Sequence, residues 1–379
     1  MESRYEPALW ATLGLKAALF PLMRVLWRPK AVGIEHRPEG ASFVVGNHSN
    51  NMDPFLINLF TPQPSAGVMA HDHVRAGLFA RSLRAIGIFP TRKRVTEPGL
   101  VRHLFNLLEH DRSIVIYPQG GRSWDGRPLP WILPSTLKLY AKTGAPVHPV
   151  RVQGSYVGWP RWADYPRPAR IRVEFLEPHV FARSDTPATI EQVLRPLIDE
   201  DESEPPAECR PRWAYKPASG IHRLLYRCPE SGSFGTVTSP DGRHVVTPTR
   251  RYRMHADSTL ADVQSGETTT PTKLYAQLRK LPLDRSTTAP LLEQRVDVYI
   301  EADEAYAPLG PHTARLFADR IELAGARRET FSLETIQSTD IGTNRRLHVY
   351  TSSGHRELRF EYGGSALGWM NVIADCLHN

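Results

Sequence analysis

His48 and Asp53, five residues apart in the stretch VVGNHSNNMDPF (44–55), are the pair whose types and spacing could do chemistry. An imidazole takes up a proton near neutral pH. A carboxylate on the far side of the ring fixes its tautomer and stabilises the imidazolium. Together they make a general base that carries no nucleophile of its own. Of the fifteen histidines in the chain, only His48 has an aspartate at that offset, so composition does not produce the spacing. The plainer alternative is a strand-end histidine followed by an aspartate that caps the next helix. The pair alone does not choose between them.

Two further stretches could handle an anion. In IGIFPTRKR (86–94), Gly87 allows a tight turn, Phe89 packs inward, and Arg92, Lys93 and Arg94 place cations at the end. An arginine fork matches phosphate or carboxylate geometry; the alternative is a solvated basic cluster. In YPQGGRSWDG (117–126), Pro118, Gly120 and Gly121 shape a loop whose backbone N–H groups can face an anion, and Arg122 adds a fixed charge. Gln119 in that loop can both donate and accept. Here the alternative is an ordinary strand-to-helix turn.

The elements that must position these residues follow from apolar periodicity. Strands are expected at 42–46, 113–117, 144–152 and 171–175, and helices at 54–60, 75–86, 100–108 and around Leu137 to Tyr140. Strands alternating with helices predict an α/β domain with a central, mostly parallel sheet. Sites in such sheets lie beyond the strand carboxyl ends. His48, Arg92 and Arg122 each follow an apolar β-like run and are expected to converge there. Residues 8–27 are the most apolar stretch, but Lys16, Pro21 and Arg24 make it a poor membrane span. With Trp10 and Trp27 at its ends, it reads as a pair of interfacial helices bent at Pro21, or as a helix packed on the domain's own core.

Four ordered segments in residues 33–156 resemble the glycerolipid acyltransferase family, of the 1-acylglycerol-3-phosphate acyltransferase type. Asn47, His48 and Asp53 match its first motif, and Gly87, Phe89 and Arg92 its second. Pro118, Gly120, Arg122 and Ser123 match the third, and Ala145, Pro146, Val147 and Pro149 the fourth. The resemblance covers about residues 5–200. It implies that His48 deprotonates an acceptor hydroxyl, which attacks an acyl thioester, and that Asp53 orients His48. It implies that Gly87, Phe89, Arg92, Gln119, Gly120, Gly121 and Arg122 bind substrate, the two arginines holding the acceptor phosphate. It implies a lysolipid acceptor, acyl-CoA or acyl carrier protein as co-substrate, and no cofactor or metal. It also implies a peripheral or monotopic place on an anionic membrane, at the cytoplasmic face. The third motif departs from the family at Gln119, where the family has Glu, and at Gly121, where it has Thr. These departures leave open another lysophospholipid or glycolipid acceptor, or a non-catalytic lipid-binding protein.

The chain has 379 residues, enough for two or three domains. The acyltransferase domain is expected over 1–200 and an acidic, then Pro-rich linker over 201–212. Tyr226, Cys228, Pro229 and Gly232 resemble the first knuckle of a zinc ribbon without its second cysteine pair, giving a degenerate ribbon and connector over 213–290. Alternating runs from Arg295 and a terminal helix at 365–379 resemble a pleckstrin-homology-like domain over 291–379, small and mostly β. The net charge of +7 and pI near 9.4 suit anionic lipid, nucleic acid or acidic partners. No nucleic-acid motif accompanies the charge, so nucleic acid is not an expected partner. Three scattered cysteines (Cys209, Cys228, Cys376) point to a reducing compartment without a disulfide framework.

Overall fold

The computed structural model describes residues 8–63, 65–70, 78–91, 98–302, 305–342, 344–361 and 363–378. Arg92, Lys93 and Arg94 therefore lie outside the described residues. The chain divides into two units, Met1–Arg161 with Pro166–Ala214, and Trp162–Tyr165 with Tyr215–Asn379.

In the first unit the order is α1 (Leu9–Leu26), β1 (Lys30–Val32), β2 (Ser42–Gly46), α2 (Asp53–Asn58), β3 (Ala66–Ala70), α3 (Leu78–Ala85) and β4 (Ile88–Thr91). It continues with α4 (Pro98–Glu109), β5 (Ser113–Ile116), α5 (Pro134–Thr143), β6 (Val147–Gln153), α6 (Ser155–Gly158), β7 (Arg172–Phe175) and α7 (Pro187–Ile198). The seven strands form one sheet in the order β1-β7-β6-β2-β5-β3-β4. All neighbours are parallel except β6 and β7.

The central strand β2 shows why this arrangement holds. Its five residues, SFVVG, are all buried, as expected for a parallel strand covered on both faces. Alternation sends Phe43 and Val45 to one face, where they meet Leu104 and Leu107 of α4, Leu137 and Tyr140 of α5, and Ile190 and Leu194 of α7. Val44 faces the other layer, with Met23 and Trp27 at the end of α1 and Leu56 and Ile57 of α2. Each such apolar side chain contributes about 1.5–3 kcal/mol on burial. Together the two layers fix the ends of β2 and β5.

The N-terminal segment corrects one expectation. It is a single helix, α1, with Pro21 inside it, and not a pair bent at the proline. Proline removes one ladder hydrogen bond, yet the helix runs on to Met23 and Trp27, which are locked in the core at 1% and 3% exposure. The other side of α1 exposes Trp10, Leu13, Leu22 and Val25. Among the described residues, no helix is long and apolar enough to cross a membrane.

The second unit begins with a four-stranded antiparallel sheet, β8 (His244–Val246), β9 (Arg251–Met254), β10 (Leu260–Asp262) and β11 (Thr268–Thr269), followed by α8 (Pro271–Arg279). A seven-stranded antiparallel sheet follows: β12 (Leu292–Ala302), β13 (Ala305–Leu316), β14 (Arg320–Gly325), β15 (Glu329–Ser332), β16 (Ile336–Ile341), β17 (Arg346–Thr351) and β18 (Gly354–Phe360). The terminal helix is α9 (Ala366–His378). Arg279 of α8 donates to both carboxylate oxygens of Asp375 of α9 at 2.7 Å. This pair joins α8 to α9 within the second unit. In the would-be ribbon, the Cys228 thiol donates to Glu230 at 2.9 Å. Among the described residues, no group of three His, Cys, Asp or Glu side chains could hold a metal ion.

The acidic stretch 201–212 is not a free linker. It belongs to the first unit. Glu202 is 1% exposed within it and Cys209 is buried.

Candidate active site

β2 and β5 run side by side in parallel, with Val45 opposite Ile116. Their carboxyl ends therefore release two loops at the same edge, one carrying His48 and the other Tyr117 to Arg122. The Ser123 N–H donates to the His48 carbonyl at 2.9 Å and ties the loops together. Asn47 stitches the first loop to β6: its Nδ2 donates to the Val152 carbonyl and its Oδ1 accepts from the Val152 N–H, both at 2.8 Å.

His48 Nδ1 and Asp53 Oδ2 are 2.9 Å apart. A carboxylate only accepts, so Nδ1–H donates and Nε2 is the nitrogen left to take a proton. The same Asp53 oxygen accepts from the backbone N–H groups of Ser49 at 2.9 Å and Asn50 at 2.8 Å. Its second oxygen accepts a short hydrogen bond from the Ser155 hydroxyl. Asp53 is wholly buried and is fixed by four donors. It is also the first residue of α2, but its carboxylate accepts from Ser49 and Asn50 ahead of the helix and caps none of the helix's own N–H groups, so the structure favours the orienting role over the capping alternative. Burial holds the His48 pKa below the ordinary histidine value; Asp53 pulls it up, and the charges of Arg122 and Arg161 push it down. A histidine so placed is neutral at neutral pH and ready to act as a base.

Sequence reasoning missed three residues. Ser155 holds Asp53 from the turn after β6. Glu202 holds that turn: its two oxygens accept from the Gly154 and Tyr156 N–H groups, each at 2.8 Å. Burial pushes its pKa up to about 8. Arg161 is 7% exposed. Its guanidinium lies 4.3 Å from the Trp124 ring centroid, and its Nη1 donates to the Arg122 carbonyl at 3.0 Å. These residues lie in turns far along the chain, with no local pattern to mark them.

Other expected site residues sit differently. Gln119 is buried, and its amide nitrogen donates to Asp199 Oδ1 at 3.0 Å and to the Leu129 carbonyl at 3.4 Å. Its amide nitrogen is thus engaged within the fold. Gly120 has φ +67° and closes the turn through its N–H to the Tyr117 carbonyl at 2.9 Å. At Gly121 a side chain would meet only Leu129, at an ordinary 3.5 Å, so space does not demand glycine where the family carries threonine. Gly87, with φ +78°, turns the chain at the amino end of β4. In a parallel sheet that is the end away from His48. Phe89, on the same edge strand, stacks on His103 with centroids 4.6 Å apart.

A mostly apolar pocket lies between α1 and α2, lined by Leu15, Leu19, Met23, Phe55, Leu59 and Ile88 among others. Lys16 at its wall donates to the Thr61 carbonyl at 2.9 Å.

Residues 28–153 match the model of the acyltransferase family. The match takes in His48, Asp53 and the Arg122 loop, and it ends before Ser155, Arg161 and Glu202. The chain is 24% identical over 152 residues to a 1-acyl-sn-glycerol-3-phosphate acyltransferase of Limnanthes douglasii, covering 39% of this chain and 53% of the relative. It is 23% identical over 164 residues to the enzyme of that name from Cocos nucifera, covering 41% of this chain and 52% of the relative. The chain spans about half the length of the curated relatives it matches. Among solved structures it is similar to the 1-acyl-sn-glycerophosphate acyltransferase PlsC from Thermotoga maritima, with a TM-score of 0.42, 20% identity, and coverage of 49% of this chain and 77% of that one.

Proposed function

We infer that this protein is an acyltransferase that moves a fatty acyl group from a thioester to a hydroxyl of a glycerol-phosphate lysolipid, with 1-acylglycerol-3-phosphate the foremost acceptor. The observation that carries this reading is the His48–Asp53 pair, whose Nε2 remains as the base beside the loop of Arg122. Nε2 takes the acceptor's hydroxyl proton as the oxygen attacks the thioester carbonyl. The tetrahedral intermediate collapses, the C–S bond breaks, and the imidazolium returns its proton to the leaving thiolate. No residue of the protein is acylated, and the donor is acyl-CoA or acyl carrier protein. Arg122, with Arg92 from the second motif, holds the acceptor phosphate. The apolar lining of the pocket between α1 and α2 suits an aliphatic chain.

The names of the relatives support the same substrate class. Gln119 was the reason to consider other acceptors, and its engagement with Asp199 weakens that reason. The exposed apolar side of α1 supports peripheral binding to a membrane, which we place at the anionic cytoplasmic face. The antiparallel sheet and terminal helix of the second unit suit a pleckstrin-homology-like module that binds rather than reacts. The test is acyl transfer from acyl-CoA and from acyl carrier protein to a panel of lysolipids. Transfer is expected to be fastest to lysophosphatidate. Transfer confined to acceptors without a phosphomonoester overturns the substrate assignment.

A further inference from the structure

The imidazole of His48 lies face to face with the ring of Tyr117, with centroids 3.9 Å apart and planes 12° from parallel. Tyr117 directly follows β5, the parallel neighbour of β2, so two adjacent strand ends set the stack. The Tyr117 hydroxyl is buried with no hydrogen-bond partner among the described residues. An unpartnered buried hydroxyl is unfavourable, so the residue's value here lies in its ring and not in its OH. Burial, and then the Asp53 charge, hold the phenol neutral far above its ordinary pKa. The ring thus presents an uncharged π face to His48.

That face meets two needs of the base. Asp53 restrains Nδ1, but one hydrogen bond leaves the ring free to tilt about it. A parallel aromatic face removes the tilt. The face also carries the negative side of the ring quadrupole and attracts a cation above it. The charges around His48 are Asp53, which favours the imidazolium, and Arg122 and Arg161, which oppose it together with burial. We propose that Tyr117 is a positioning residue for His48, whose ring face holds the imidazole plane and stabilises the imidazolium formed in turnover. The proposal deepens the acyltransferase reading and rests on His48 being its base.

The test compares Tyr117→Phe and Tyr117→Leu in the full chain. Phenylalanine keeps the face, whereas leucine keeps the apolar filling and removes the face. Two quantities are measured: the titration midpoint of the His48 ring by NMR, and kcat and KM for acyl transfer. Tyr117→Phe is expected to retain both the midpoint and kcat. Tyr117→Leu is expected to lower the His48 midpoint by about 0.4–1.5 pH units and kcat about 3- to 30-fold, with KM little changed. Should the leucine variant unfold, Tyr117→Met supplies a second ring-free filler. A folded ring-free variant that keeps either the wild-type midpoint or the wild-type kcat overturns the proposal, as does an equal loss in Tyr117→Phe. If the wild-type protein acylates no lysolipid, the functional reading fails by itself, and the His48 midpoint alone still decides the stack.

Discussion

At the residue scale, the site is a histidine held neutral by burial and aimed by a carboxylate that cannot move. The His48–Asp53 pair is legible in the sequence because both partners sit in one loop, five residues apart. Its supports are not legible: Ser155 is 102 residues from Asp53 and joins it only through the fold. Glu202 hides in an acidic run that reads as solvated, yet its carboxyl is buried and receives two backbone N–H groups. The environment of His48 makes a prediction about pH. Burial lowers its pKa from the ordinary 6.5, and in the proposed mechanism the neutral form is the base. kcat/KM for acyl transfer is therefore expected to rise with pH, pass its midpoint below 6.5 and stay flat through neutrality. A profile whose ascending limb is centred above 6.5 contradicts this account of the ring's surroundings.

At the element scale, the strands with unbroken apolar runs, β2, β5 and β6, are readable because a buried parallel strand demands them. β1, with three residues, and β3, AGVMA, lack that signature and take their place through pairing with β7 and with β4 and β5. Gln119 has a fold contact that its loop does not reveal. Its amide nitrogen reaches the carboxyl end of α7. There Asp199 accepts from it on one oxygen and from Arg195 on the other at 3.1 Å. Gln119→Glu would place a second carboxylate against Asp199. Losing the hydrogen bond costs about 1–3 kcal/mol, or about 2–12 °C in the thermal midpoint of a unit this size. The loss is read from thermal melts of the wild type and the variant at neutral pH. An unchanged midpoint excludes the tether.

At the scale of the whole molecule, the expected α/β half is present with one antiparallel neighbour in its sheet. The acidic stretch that reads as a linker completes the first unit instead, because backbone N–H groups are waiting for Glu202. Composition carries no record of such a partner. The chain's basic balance and the two-sided helix α1 bear on where the protein works. Removing residues 1–28 would take Met23 and Trp27 out of the core, so truncation cannot separate packing from surface binding. Replacing Trp10, Leu13, Leu22 and Val25 by serine leaves those anchors in place. Each buried apolar side chain is worth about 1.5–3 kcal/mol. The fourfold variant is therefore expected to lose at least about tenfold in affinity for anionic vesicles in a sedimentation assay, with its fold intact. Equal binding by the variant assigns α1 to core packing alone.

The central claim is that His48 is the base of acyl transfer. The most direct measurement is kcat for transfer to lysophosphatidate by His48→Ala, with circular dichroism and thermal midpoint showing the variant folded. Removing a positioned general base costs about 10²–10⁴-fold, and a fall of that size is the expected result. Turnover near the wild-type value in folded His48→Ala would contradict the account.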